Sequence, residues 1–237
     1  MKNKVALITG AGGGIGKAIA VRLAKSGVRL ALCGRSTAKL QDTREAVLPY
    51  TEEPLLLAGD LTEDAYLFSL AEKTAAHFGA LDILINNAGM AYNGPFAETS
   101  TETFDALMKI NARCPYFLSQ SALPYLKKSD AATIINISST MGHTAYGDQS
   151  AYIASKHALH GMTKSLAKEV YADGIRCHLI SPGGVFTDMI KIARPDLSSE
   201  GMIMPEEVAE AVAFLIEHRG NAIIDEIRLH RVGKEPF

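Results

Sequence analysis

Short, almost unbroken apolar runs alternate with stretches of helical spacing along the whole chain, and this alternation limits the fold more than any other feature. Residues 5–9, 28–33, 55–58, 81–86, 133–137, 175–180 and 223–229 read as strands. Helical patterns occupy 15–26, 38–48, 63–78, 101–127, 150–172 and 205–217. Strands that are apolar on both faces need cover on both faces, and a strand–helix–strand unit joins parallel neighbours. With right-handed crossovers, the expected fold is α/β, a Rossmann-like doubly wound parallel sheet of about seven strands with helices on both faces. A length of 237 residues suits one domain, 1–237, and no internal repeat or low-complexity linker interrupts it. Pro115 is expected to bend the long helical region 101–127.

Ligands of such sheets sit outside the carboxyl ends of the strands, so those ends carry the functional reading. The first strand runs into Thr9-Gly10-Ala11-Gly12-Gly13-Gly14-Ile15-Gly16 immediately before a helix. Glycines there allow a tight turn and close approach of a phosphate, and the helix N-terminus favours its charge. This predicts dinucleotide binding. The second strand ends in Cys33-Gly34-Arg35-Ser36, with no acid where an NAD site holds the ribose hydroxyls. Arg35 is either a fork for a 2′-phosphate, with Ser36 adding a hydroxyl donor, or a solvated surface cation. Asp60, after the third strand, accepts a bond from an adenine amino group, caps the next helix, or does both. Asn86-Asn87-Ala88-Gly89 ends the fourth strand and suits a tight backbone crossing near a ligand, or a turn held by the amides. Asn111 stands inside a helical pattern, where a buried amide needs partners such as a water. The loop from Ser181 to Asp188 offers backbone and Thr187 to a carboxamide, unless Thr187 only caps a short helix.

Ser139 follows the fifth strand, and Tyr152 and Lys156 lie four apart on one helix face. A neighbouring cation is expected to lower the tyrosine pKa from about 10. Ser139 can hydrogen-bond the same oxygen that Tyr152 protonates, which makes a device for moving a proton to a carbonyl or from an alcohol.

Composition closes other routes. The net charge is −2 with both signs scattered, so no basic stripe invites nucleic acid. The three cysteines, Cys33, Cys114 and Cys177, lie far apart and suggest a reducing compartment. No apolar run approaches the roughly 20 residues of a membrane span. The glycines at 10–14 break the first apolar run too early for a signal peptide, and a cytoplasmic location is expected. No His/Cys/Asp grouping has zinc spacing, so no metal is expected.

Together these motifs resemble the short-chain dehydrogenase/reductase family, in order and spacing, over nearly the whole chain. The resemblance implies that Tyr152 is the general acid/base and that Lys156 lowers its pKa and holds the nicotinamide ribose. It implies that Ser139 polarises the substrate carbonyl and that Asn111 holds a water of a proton relay. It also implies cofactor contacts from Gly10, Gly14, Ile15, Gly16, Leu61, Asn87, Ala88, Gly89, Pro182, Gly183, Val185 and Thr187, besides Arg35, Ser36 and Asp60. Gly34-Arg35 looks like the family's NADP(H)-preferring arrangement. Family members commonly form dimers or tetramers through the helices 101–127 and 150–172.

The chain departs from many members at its C-terminus, which runs Asp225-Glu226-Ile227-Arg228-Leu229-His230-Arg231 in place of a Val-Asp-Gly-Gly segment. The segment 187–205, where the family's substrate lid lies, is short. Both features resemble the small-carbonyl reductases, including the sepiapterin-reductase-like branch. Met189, Ile190, Ile192, Met202, Ile203 and Met204 either suit an apolar or aromatic carbonyl compound or pack against the domain. His143 and Tyr146 line the substrate pocket or belong to a surface loop, and His157 and His160 serve packing or an interface. The reading is an NADPH-dependent carbonyl reductase. The alternatives are a 3-oxoacyl-[acyl-carrier-protein] reductase and a catalytically silent NADP-binding regulator.

Overall fold

A computed structural model describes residues 1–188, 190 and 198–234. Its centre is a seven-stranded sheet of order β3-β2-β1-β4-β5-β6-β7. The strands are β1 (Val5–Thr9), β2 (Arg29–Gly34), β3 (Leu55–Ala58), β4 (Ile83–Asn86), β5 (Thr133–Ile137), β6 (Arg176–Pro182) and β7 (Glu226–Leu229). Every neighbouring pair is parallel, with Thr9 beside Cys33, Asn86 beside Asn136 and Ile137 beside Ile180. All carboxyl ends therefore share one edge, and the chain reverses its direction of travel across the sheet between β1 and β4, where such folds bind ligands.

The strand period of two divides the core. Ala6 and Ile8 of β1 face one layer with Ile19 and Leu23 of α1 (Gly14–Lys25), Leu40 of α2 (Thr37–Val47) and Val208 and Val212 of α7 (Pro205–Glu217). Leu7 faces the other, with Leu67 and Leu70 of α3 (Asp64–Phe78), Leu118 of α5 (Cys114–Leu126) and Leu166 of α6 (Ser150–Glu169). Burying each such leucine or isoleucine is worth about 1.5–3 kcal/mol, so both layers hold the sheet flat against its helices. Cys33, Cys114 and Cys177 are buried free thiols.

The region expected as one helix, 101–127, is divided. α4 (Thr101–Met108) runs into a π-helical turn, Lys109–Arg113, and then into α5. The break falls on Asn111, and Pro115 sits in the first turn of α5, where its missing N–H costs nothing. β7 begins at Glu226 because Ile223 and Ile224 remain exposed outside the ladder. Among the described residues, no helix is long and apolar enough to cross a membrane.

Candidate active site

The glycine turn is built for close approach. Gly10 (φ +66°) and Gly14 (φ +50°) occupy left-handed backbone. A Cβ on Gly16 would stand 2.2 Å from the Gly10 carbonyl oxygen, so that position tolerates no side chain. Above Gly13 a Cβ would meet nothing within 4 Å, which leaves the backbone open outward. No side chain caps α1 and no acid lies in its first turn, which leaves its positive dipole end open to a negative charge. The Asn87 amide donates to the Thr9 and Gly10 carbonyls at 3.0 and 3.2 Å. Thr9 Oγ1 accepts from the backbone N–H of Asn87 and Ala88, at 3.0 Å each. The β4 end is thus stitched to the turn. Asn86, in contrast, is a core residue whose amide donates to Asn136 and Ser119.

Arg35 and Ser36 are exposed at the end of β2. Ser36 caps α2, accepting from Lys39 N at 3.3 Å, and its hydroxyl proton stays available to another acceptor. Asp60 Oδ1 accepts from Thr62 N at 2.8 Å. That bond holds its carboxyl below the ordinary carboxylate range, and the nearby Arg35 adds to the effect. Asp60 closes the turn ahead of α3 rather than capping it, because Glu63 holds the cap position. Leu61 is buried beneath.

Ser139, Tyr152 and Lys156 come together where β5 ends against α6. Ser139 is buried, and its Oγ accepts from Met141 N at 3.1 Å in a 3₁₀ turn, Thr140–Gly142. Lys156 is buried, donates to the Ile137 carbonyl at 3.1 Å and lies 5.8 Å from the centre of the Tyr152 ring. Asn111 is buried in its π-turn. Its Oδ1 accepts from Met90 N at 2.9 Å, and its Nδ2 donates to the Met90 carbonyl and to Ser155 Oγ. Ser155 donates to the Tyr152 carbonyl at 2.7 Å. A Cβ on Gly89 would lie 2.9 Å from Asn111 Oδ1 and 3.8 Å from Lys156 Nζ, so only glycine lets the chain pass this close to Asn111.

The expected lowering of the Tyr152 pKa is not what the protein atoms produce. Its phenol lies deep, and burial pushes it above its ordinary value, while a hydrogen bond from Ser139 works the other way. Burial also brings the Lys156 ammonium down to about 8. Desolvation is the leading cause of both shifts.

Beyond β6, Val185 pairs with Ile203 in an isolated bridge, and Gly183 N donates to the Leu229 carbonyl. Thr187 stands over the glycine turn, its methyl 3.1 Å from where a Gly14 Cβ would be. Pro182 is the last residue of β6. Met202 and Ile203 pack against the domain, whereas Met189 and Ile192 lie outside the described residues. Tyr146 is exposed, and His143 turns toward Glu226 and His160.

Three contributors carried no role in the sequence reading. Thr43 of α2 donates to the Ala11 carbonyl at 2.9 Å and so fixes the glycine turn from outside. Ser155 and the Met90 backbone complete the partners of Asn111. Ser155 carried a usable signal, lying three residues after Tyr152 on one face of the helix.

Residues 4–198 match the family model described as short chain dehydrogenase. An uncharacterised oxidoreductase of Thermotoga maritima is 40% identical over 182 residues, which are 77% of this chain and 72% of that protein. The structure is similar to that of an alcohol dehydrogenase from the archaeon Thermococcus sibiricus complexed with 5-hydroxy-NADP. The TM-score is 0.90 at 27% identity, with 99% of both chains covered. A metagenomic short-chain oxidoreductase in complex with NADP gives a TM-score of 0.85 at 30% identity, covering 98% of this chain and 99% of the other. With the parallel sheet, the glycine turn and the family match in agreement, the chain belongs to the short chain dehydrogenase family and is an oxidoreductase.

Proposed function

We propose that the protein is an NADPH-dependent reductase of small or aromatic ketones and aldehydes, able to run in reverse on the alcohols. The observation that carries this reading is the meeting of Ser139, Tyr152 and Lys156 at the sheet edge that also holds the open glycine turn.

The residues present fit a dinucleotide. The uncapped N-terminus of α1 and the open backbone at Gly13 would hold the pyrophosphate, with Gly10, Gly14, Ile15 and Gly16 shaping the turn. Arg35 and Ser36 would take the 2′-phosphate, and Asp60 with Leu61 the adenine side. Asn87, Ala88 and Gly89 would form the floor, and Pro182, Gly183, Val185 and Thr187 the carboxamide end. When bound, the reduced nicotinamide supplies the hydride. Ser139 and Tyr152 would aim hydrogen bonds at the carbonyl oxygen as charge grows there. A raised pKa keeps Tyr152 protonated at neutral pH, which is the state a proton donor to that oxygen needs. Lys156 would hold the ribose hydroxyls, and Asn111 would hold a water linking it to a proton relay.

Exposed Tyr116, with Met108, Phe117 and Met162, borders an open cleft of about 1000 Å³ on the outer faces of α4, α5 and α6. This cleft lies away from the Tyr152 site and supports a homodimer or homotetramer built on those helices, as its apolar lining would gain from a second copy. The intact Ser139, Tyr152 and Lys156 set favours an enzyme over a silent regulator. The test of the reading is a panel of small aromatic and aliphatic carbonyls with NADPH. Carbonyl-dependent NADPH oxidation with matching alcohol formation supports it, and no turnover on any member sinks it.

A further inference from the structure

One helical turn beyond Lys156, the fold gathers three ligand atoms that the sequence keeps far apart. His143 Nε2 lies 2.5 Å from Glu226 Oε1 and 3.0 Å from His160 Nε2, and His160 Nε2 lies 3.3 Å from the same carboxylate oxygen. The residues come from three elements: the segment after the Thr140–Gly142 turn, α6 and β7. Gly142 makes room for the ring, because a Cβ there would stand 2.0 Å from His160 Cε1.

His160 Nδ1 lies 3.0 Å from both the Lys156 carbonyl oxygen and Ser138 Oγ, and with its hydrogen on the carbonyl the neutral ring presents a lone pair at Nε2. His160 is buried, and that lone pair points at His143 and Glu226. Ser181 lies 3.3 Å away, but its hydroxyl donates to Glu226 Oε1 at 2.6 Å. In that tautomer, a hydrogen on His143 Nε2 directed at the carboxylate leaves His160 Nε2 without a donor of its own. A cation at the centre would meet all three atoms.

We propose that His143, His160 and Glu226 bind one divalent transition-metal ion of the zinc class. Two imidazoles and one carboxylate are a zinc donor set, with bonds of about 2.0–2.2 Å to each atom. The outer contacts also suit a metal. The His160 Nδ1–H bond to a backbone carbonyl fixes the ring, and Ser181 orients the carboxylate. Arg228 lies 3.6 Å from the other carboxylate oxygen, Oε2, leaving Oε1 to the ion. His143 and Glu226 keep some exposure, so a water can fill a fourth position. The ion ties the segment between Ser139 and Tyr152 to the helix of Lys156 and to the last strand. Its place is structural and separate from the proton chemistry.

The test uses the full chain, stripped with EDTA, dialysed and titrated with ZnCl₂ against a chromophoric chelator, together with thermal melts. One zinc per chain is expected, with a Kd below about 10 µM and a rise in Tm. His143→Ala and Glu226→Gln are each expected to weaken binding by about tenfold or more and to abolish the rise, while His157→Ala changes neither. Melts without zinc show whether each variant is folded, and Glu226→Gln, nearly isosteric, decides if His143→Ala is not. No binding up to about 100 µM zinc overturns the proposal, as does stoichiometric binding that the folded variants leave unchanged.

Discussion

The Lys156 ammonium lies over the Tyr152 ring, 5.8 Å from its centre, and donates to the Ile137 carbonyl at 3.1 Å. Both groups are desolvated. The tyrosine therefore keeps its proton and the lysine gives its own up more readily, at about 8. This bias suits proton donation to a carbonyl oxygen more than proton removal from an alcohol.

The two directions should therefore respond oppositely to pH. With Tyr152 raised above its ordinary value, carbonyl reduction is expected to stay level through neutral pH and to fall only in alkali, while alcohol oxidation climbs as pH rises. Initial rates in both directions from pH 6 to 10 check this. A reduction rate that falls from pH 6 to 7 would contradict it.

Lys156 gives a stability signature of defined sign. Its pKa is about 8 in the folded chain against an ordinary 10.5, so between these values the unfolded chain binds more protons. Stability contributed by this residue is then least below pH 8 and rises toward pH 10.5, by at most on the order of 3 kcal/mol. Urea melts of the wild type and of Lys156→Met at pH 7 and 10 should differ by such a rise, present only in the wild type.

Two glycines of one turn should separate fold from binding. Gly16→Ala drives a methyl against the Gly10 carbonyl and is expected to cost stability beyond about 1–3 kcal/mol. Gly13→Ala has open space and extended backbone, with φ 178°, so its Tm should hardly move. If the pyrophosphate lies over this backbone, NADPH affinity should nonetheless drop in Gly13→Ala, which a fluorescence titration would read.

Arg35 is exposed at the carboxyl end of β2, and its charge is felt by Asp60. Removing a charge-assisted fork should weaken NADPH by about tenfold or more and leave NADH nearly unchanged. Separate titrations of both cofactors with wild type and Arg35→Ala decide it. Equal NADPH and NADH binding in the wild type would remove the 2′-phosphate role.

Much of this architecture was legible in the sequence, for physical reasons. β3 and β5 keep the bounds read from their apolar runs, and α7 keeps those read from Pro205 and the acids of its first turn, where Glu207 closes a capping box. Asn111 was marked by its poor fit to a helix interior, and the chain does break its helix there. The direction of the Tyr152 shift was not legible. Helical spacing reports that a cation is near but not that both partners are desolvated. The His143–His160–Glu226 cluster was equally hidden, since sequence spacing cannot bring a turn, a helix and the last strand to one point.

The most direct test of the account is Tyr152→Phe with NADPH and a carbonyl substrate that the wild type reduces. Loss of the proton donor should cut kcat by roughly 10² or more while the NADPH Kd changes less than about twofold. Turnover retained near the wild-type rate, with the cofactor bound as before, would contradict it.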